Sequence, residues 1–469
     1  MSEVMIPDFM KLSQIPVDYV QQLETDLLEP VVQLEGSSTR NGQCRFELQN
    51  KGFLHSHSKL FVSLIPSVNG NASAAFLPQN IGIGSLIQSA VLKIGNQVLN
   101  EISDWQYLHM IKSAQIDNEY QRNREQYVTG RCINHRFIFR DNSGDNNDVL
   151  AEKYGLDNGR EYAGNNLQQL PFAVLSSEAV AESPTYSIDL SDLFPFLKTH
   201  QLPLYMINQP ITIELTWSRT VQDRVCLPAV GGVSDTAEYK IDQSELKFAA
   251  DYIYYGATDE MMRYKLNNPV MEFNFPDYRL VKNTVSNTTL DAGIVRNLGM
   301  ANRLVSRVLT VFSPEKSIAG GAETNILNNY QAYSPHTNAS RVPGATSYNL
   351  RYNDRFEFSS DLTNLSRIHS MYVQAETVPF VTRQEFSDED RGLTALQFEG
   401  RDQNNTSHGL RGKFFCLATR LTNGRVGQRG IELHVKVTTA TATAYSMRSY
   451  CEYMRTARLS NGMFEIFNV

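Results

Sequence analysis

The sequence predicts an all-β chain built from two sheet domains of similar size, with short accessory helices and long polar surface loops. Three observations lead there. At 469 residues the chain exceeds what one ordinary core organises, so two or more domains are expected. Strand signals lie on both sides of a central join. One order of elements is also written twice along the chain.

The join is Lys247 to Tyr278. Leu246, Phe248, Ala250, Tyr252 and Tyr254 alternate at the period of a strand, and Gly256 breaks the run. Thr258 is placed to cap a short helix, with Asp259 and Glu260 in the first turn, where the helix dipole favours acids. Asn267, Asn268 and Pro269 stop that helix, and Met271, Phe273 and Phe275 restart the alternation. The predicted division is an arm over 1–29, a first domain over 30–257, a connector helix over 258–268 and a second domain over 269–469.

Composition narrows the function classes. An apolar content of 41% suffices for large cores, and 22 Tyr and 23 Phe suit strands. No window approaches the ~18 apolar residues of a membrane span. The start of the chain lacks the basic-then-apolar order of a secretory signal. Cys44, Cys132, Cys226, Cys416 and Cys451 lie far apart without a CxxC pair, which predicts reduced thiols in a protein made in a cytosol or nucleus. The triplets at Asn71 and Asn287 that match a glycosylation acceptor therefore read as chance. The net charge is −7, and residues 1–29 carry six acids against Lys11 alone. Wrapping nucleic acid needs clustered Lys and Arg, so direct nucleic-acid binding is not expected.

In chain order, Val17, Val20, Leu23, Leu27 and Leu28 recur at helical spacing, predicting a short amphipathic helix before Pro30. It could pack on its own domain or on a neighbouring subunit. Cys44 to Leu48 and Ser58 to Pro66 read as strands. Gly95-Asn96, between Val91–Ile94 and Gln97–Leu99, signals a hairpin. Asp104 is positioned to cap a helix carrying Trp105, Leu108 and Ile111. Residues 118–170 turn polar and predict a long surface excursion. Strands follow at Tyr186–Leu190, Leu204–Ile207 and Ile211–Trp217, and Asp223 to Tyr239 is loop-like. In the second half, Ser306–Pro314, Leu350 onward, Phe414–Leu421, Ile431–Val437 and Thr438–Ala444 read as strands. The stretches 313–347 and 383–412 read as polar loops, with a short helix near Thr324–Tyr330. Asn461-Gly462 signals a last hairpin. The polar stretches are expected to gather at one end of the molecule.

The repeat is visible by eye. Leu92 to Val98 resembles Leu350 to Phe356, and Ser103-Asp104, Leu108 and Ile111 match Ser360-Asp361, Leu365 and Ile368. Ser58 to Phe61 matches Ser306 to Leu309 upstream. Strand, hairpin and capped helix thus recur in one order, which predicts duplication.

The sequence predicts no catalytic, cofactor or metal residue. Asp141, Ser143, Asp145 and Glu152 fit parts of a calcium loop, but Asn146 stands where glycine is needed and neither flank is a clear helix. His55 and His57 would share a strand face, with no third ligand near in sequence. Glycines form neither a phosphate loop nor a dinucleotide fingerprint, and no nucleophile elbow or Cys–His protease spacing occurs.

Three stretches carry a family resemblance. Ser85 to Leu108, SLIQSAVLKIGNQVLNEISDWQYL, resembles the hairpin and Trp-containing helix in the first roll of double jelly-roll major capsid proteins of double-stranded DNA viruses, with Asn96 in place of a second glycine. Leu193 to Trp217 resembles the family's paired apolar strands. Lys247 to Tyr264 resembles the end of its first roll. Among members, the chain looks closer to polinton-like virus and virophage proteins than to giant-virus ones. The resemblance implies two tandem jelly-roll β-sandwiches, Trp105 and Trp217 as core anchors, and no enzymatic role. It implies a homotrimer forming a pseudo-hexameric capsomer, with neighbouring capsomers, a penton (vertex) protein and minor capsid proteins as partners in a virion. It leaves an internal membrane open. The competing expectation is a carbohydrate-binding or carbohydrate-acting β-sandwich, because sandwiches often carry such sites in their loops.

Overall fold

The structure, a computed structural model, describes residues 22–37, 39–68, 71–72, 75–76, 81–115, 128–130, 185–219, 227–228, 237–256, 258–285, 293–314, 345–363, 365–376, 416–422, 424–437 and 445–468. The polar stretches 118–170, 313–347 and 383–412 lie almost wholly outside the described residues. So do the partial calcium loop, the helix near Thr324 and the Thr438–Ala444 run.

The first roll contains β1 (Gln22–Leu28), β2 (Gln43–Leu48), β3 (Lys59–Val62), β4 (Ile87–Ile94), β5 (Gln97–Ser103), α1 (Trp105–Gln115), β6 (Tyr186–Asp189), β7 (Ile211–Trp217) and β8 (Lys247–Tyr254). Helix α2 (Thr258–Asn267) follows. The second roll contains β9 (Val270–Val285), β10 (Gly293–Gly299), β11 (Val305–Pro314), β12 (Ala345–Tyr352), β13 (Arg355–Phe356), α3 (Leu365–Glu376), β14 (Cys416–Arg420), β15 (Ile431–Val437) and β16 (Tyr445–Ser460), with β17 (Met463–Asn468) appended.

The two rolls share one topology. In the first, the sheets run β1-β8-β3-β6 and β5-β4-β7-β2; in the second, β9-β16-β11-β14 and β13-β12-β15-β10. Adding eight to each label of the first roll gives the second. All of these neighbours pair antiparallel. The eight shared strands of each unit form two four-stranded layers packed face to face, the jelly-roll arrangement, and Val32–Leu34 beside β2, Phe53–Leu54 beside β8 and β17 beside β16 widen three of the four sheets to five strands. The duplication expected from the sequence is thus present in the backbone.

Alternation explains the cores. In β7, Ile211, Ile213, Leu215 and Trp217 are buried while Thr212, Glu214 and Thr216 are half-buried, as period two requires of a strand with one inner face. Phe46 from the facing run meets Phe248 of β8 with ring centroids 5.7 Å apart. Trp105 and Trp217 are each 1% exposed, so both are core anchors. In the second roll Leu350, Leu433, Val308 and Cys451 are fully enclosed or nearly so.

Several expectations change. Gln22–Leu28 is a strand, not an amphipathic helix: it pairs with β8 from Gln22↔Tyr254 to Leu28↔Phe248. The free edge of β8 supplies a ladder for its whole length, and that outweighs local helical spacing. Leu204–Met206 is a 3-10 turn in place of a strand. Within the predicted loop after Asp223, Leu227–Pro228 pairs with Ala75–Phe76, and Ala237–Ile241 pairs with Leu64–Val68. The Gly95-Asn96 hairpin forms, but only Gly95 takes positive φ, at 57°. Its counterpart Asn353-Asp354 has positive φ at both residues, as does Asn461-Gly462, the pattern of a type I′ turn.

Candidate functional site: the seam between the two rolls

A set of enclosed charged groups, Asp277, Arg448, Arg307, Glu452 and Asp104 among them, lies where the rolls meet. The seam forms because β5, α1 and the helix Pro195–Thr199 of the first roll press against β9, β16 and β17 of the second.

Its apolar part is aromatic. Phe196 packs edge-on against Phe273 at 5.7 Å and Phe275 at 5.1 Å, and Phe273 stacks on Phe464 at 6.1 Å. These rings come from the alternation of β9 (Met271, Phe273, Phe275), which continues into Asp277 on the same face. Such T-shaped and offset pairs add about 0.5–1.5 kcal/mol beyond their buried area.

Three carboxylates complete it. Asp277 is 3% exposed. Its Oδ1 accepts from Asn100 Nδ2 at 3.1 Å and from the Tyr278 N–H at 3.0 Å; its Oδ2 accepts from Arg455 Nη1 at 2.7 Å. Arg455 also donates to the carbonyls of Leu99 at 3.1 Å and Val98 at 3.3 Å, and Asn100 Oδ1 accepts from the Phe196 N–H at 3.1 Å. Register explains why β5 offers these carbonyls: its ladder with β4 shifts between Val98 and Asn100, so Leu99 drops out of the pairing. Burial raises the Asp277 pKa above the ordinary range, and Arg455 opposes that only in part.

Asp104 is the second. The sequence suggested a helix cap, but Asp104 sits at φ 47° with its carboxylate turned to the other roll. Arg448 Nε reaches it at 2.7 Å and Lys282 Nζ at 3.8 Å. The Asp104 carbonyl accepts from the Tyr450 hydroxyl at 2.7 Å, and the Arg448 guanidinium lies 3.9 Å from the Tyr107 ring centre. Glu452 is the third. Arg307 binds its Oε2 through Nε at 2.9 Å and Nη2 at 2.8 Å, Ser306 donates to its Oε1 at 2.6 Å, and the Tyr278 hydroxyl donates to it. Burial alone would raise its pKa. Arg307, then Lys112 of α1, with the hydrogen bonds of Ser306 and Tyr278, overcome burial and hold it at about 2.

A cleft of about 30 Å³, room for one water, opens beside this network among Trp105, His109, Lys112, Asp192, Lys198 and Tyr278. Lys198 pairs with Asp192 at 3.2 Å and His109 stacks on Trp105 at 4.4 Å. At the cleft wall Ser113 Oγ lies 3.4 Å from His109 Nε2. Away from the seam, the rings of His55 and His57 lie 5.2 Å apart, and His57 Nδ1 is 3.3 Å from Asp189 Oδ2. Among the described residues no three His, Cys, Asp or Glu side chains converge as metal ligands would. The aromatic packing and the enclosed ion pairs hold the two β-sandwiches against each other.

No family model and no curated protein matches the chain. Solved structures do. The PBCV-1 virus capsid matches at 12% identity with a TM-score of 0.55, over 96% of this chain and 97% of that one. The mavirus major capsid protein matches at 9% identity and a TM-score of 0.55, over 95% and 90%. The Faustovirus major capsid protein matches at 8% identity and a TM-score of 0.52, over 93% and 90%. The fold is that of the viral double jelly-roll major capsid proteins.

Proposed function

We propose that this chain, which shares its fold with viral major capsid proteins, is itself a major capsid protein. Three copies close around a three-fold axis into a pseudo-hexameric capsomer, and capsomers tile an icosahedral shell around a double-stranded DNA genome. The observation that carries this reading is the pair of rolls with one strand order, locked by a buried seam. Each roll supplies one corner, so three chains supply six, and cyclic symmetry closes the ring without open growth. The division expected from the sequence shifts at its first boundary, because Gln22–Leu28 belongs to a sheet of the first roll: the rolls are read over 22–257 and 269–469, with a connector over 258–268.

Neighbouring capsomers, a penton protein at the five-fold vertices and minor capsid proteins are the partners in this reading. The virion is the location, after synthesis in a host cytoplasm or nucleus. The net charge of −7 argues against direct genome binding. Light scattering on the purified protein tests the assembly: the expected mass is three times 53.0 kDa, about 159 kDa. A stable monomer at micromolar concentration refutes it, and hexagonal arrays by electron microscopy support it. Submicromolar, steeply salt-dependent DNA binding by the chain would contradict the genome part.

A further inference from the structure

The loop His55 to Ser58 joins Phe53–Leu54 to β3 and fastens two other parts of the same sheet. Toward β8, the His55 N–H donates to the Asp251 carbonyl at 2.9 Å, and the Asp251 N–H donates to Ser58 Oγ at 3.0 Å. Toward the residues that follow β6, the Leu190 N–H donates to the Ser58 carbonyl at 2.8 Å and the Ser191 N–H to the Ser56 carbonyl at 3.0 Å. β1 joins at one remove, because Thr25 Oγ1 donates to Asp251 Oδ1 at 2.6 Å. Ser58 is fully buried, so the contacts it makes are shielded from water.

The shape of this loop rests on His55. Its carbonyl accepts from the Ser58 N–H at 3.1 Å and from the Ser58 hydroxyl at 2.8 Å, and its ring Nδ1 accepts from the His57 N–H at 3.1 Å. A backbone N–H can only donate. Nδ1 therefore presents a lone pair, and the ring is neutral with its proton on Nε2. Asn and Asp side chains make the equivalent bond to the N–H two residues on. His55 makes it with a group that takes up a proton near neutral pH. A proton on Nδ1 would set two N–H groups against each other, so the bond is lost and repulsion replaces it. The neighbours set where this happens. Burial, and then His57 with its ring 5.2 Å away, favour the neutral form; Asp251 of β8 and Asp189 at the end of β6 favour the cation. The balance leaves the His55 pKa below the ordinary 6.5. Asp189 is shared, because its Oδ2 lies 3.3 Å from His57 Nδ1. With the folded value below the unfolded one, the unfolded chain takes up the proton first as pH falls. The stabilisation is full above about 6.5 and is lost as pH drops through the folded value.

We propose that His55 is an acid-released latch on the first roll: neutral, it holds the loop 55–58 closed on β8 and on the residues after β6, and protonated, it lets that corner of the sheet open. The latch lies within one chain and does not depend on assembly. Glu452 keeps its charge down to about pH 2, so mild acid loosens the first roll while the Glu452 contacts of the seam stay closed.

The test is amide-resolved hydrogen exchange on the full chain, stepped from pH 7.5 to pH 4.5 and corrected for the intrinsic rate. The reporters are the N–H groups of Leu190, Ser191 and Asp251. His55→Asn keeps an acceptor for the His57 N–H without a titrating ring, and His55→Leu removes the acceptor. In the wild type, protection at the three reporters should fall by roughly threefold to tenfold as pH drops below the ordinary histidine range, the equivalent of one hydrogen bond. His55→Asn should stay protected throughout, and His55→Leu should show the reduced protection at every pH. His57→Asn should keep the wild-type fall, moved to slightly higher pH because a neighbouring positive group is gone. A wild type that stays protected down to pH 4.5 overturns the proposal. So does a His55→Asn variant that loses protection in step with the wild type, because the titrating group is then His57 or an aspartate.

Discussion

Glu452 makes the seam sensitive to acid, with a sign and size that follow from its surroundings. Its side chain is 13% exposed and held by Arg307, Ser306 and Tyr278, with Lys112 contributing from the opposite roll. The carboxyl is brought from the ordinary 4.5 to about 2. A folded-state pKa below the unfolded one means that the unfolded chain takes up the proton first as pH falls. The stabilisation is therefore full above the unfolded value and disappears as pH drops through the folded one. The difference corresponds to about 3 kcal/mol. Glu452→Gln removes this titration. The measurement is urea unfolding of wild type and variant at pH 6.5 and again near pH 2. The wild type should lead at pH 6.5 by about 3 kcal/mol, the order expected for breaking a buried ion pair, and most of that lead should be gone near pH 2. A gap that stays constant with pH would refute the assignment of Glu452 as a charged seam residue.

Other perturbations follow from the same contacts. Arg455→Ala leaves the Asp277 carboxylate enclosed without its cation, so a loss of about 3–5 kcal/mol in urea unfolding is expected, with faster hydrogen exchange along β5. Phe196→Ala empties the space against Phe273 and Phe275 and should lower stability by about 3–5 kcal/mol, read as a drop in melting temperature. Cys44, Cys416 and Cys451 are buried thiols; burial pushes Cys451 up to about 12 and the other two higher. These three should not react with Ellman's reagent at pH 8 until the protein is unfolded.

Much of the fold was legible because its determinants are local. The β4–β5 hairpin, the helix from Trp105, the Ile211–Trp217 strand and the Thr258–Asn267 helix were readable from periodicity and turn chemistry. The repeat was readable because its strongest block keeps a turn between two strands ahead of a helix. β1 was misread because an edge strand with Leu23 and Leu27 outward carries no inner-face alternation, and its partner β8 lies more than two hundred residues away. The seam left no sequence signal. Asn100 meets Asp277 across 177 residues, and Arg448 meets Asp104 across 344. In sequence, Asp104 looked like a helix cap and Asp277 carried no signal of its own; the packing of one roll on the other brings Arg448 to Asp104 and Asn100 to Asp277.

The tether between the rolls has a thermodynamic meaning of its own. A buried pair such as Asp277 and Arg455 forfeits hydration that its mutual attraction barely restores. Two separate proteins meeting over such a contact would also lose translational and rotational freedom, so the association would be weak at cellular concentrations. A connector as short as α2 makes the meeting intramolecular, at an effective concentration that no free partner reaches. The inner contact can therefore be polar, desolvated and geometrically exacting, while contacts left to diffusion are better served by exposed leucines and screened charge.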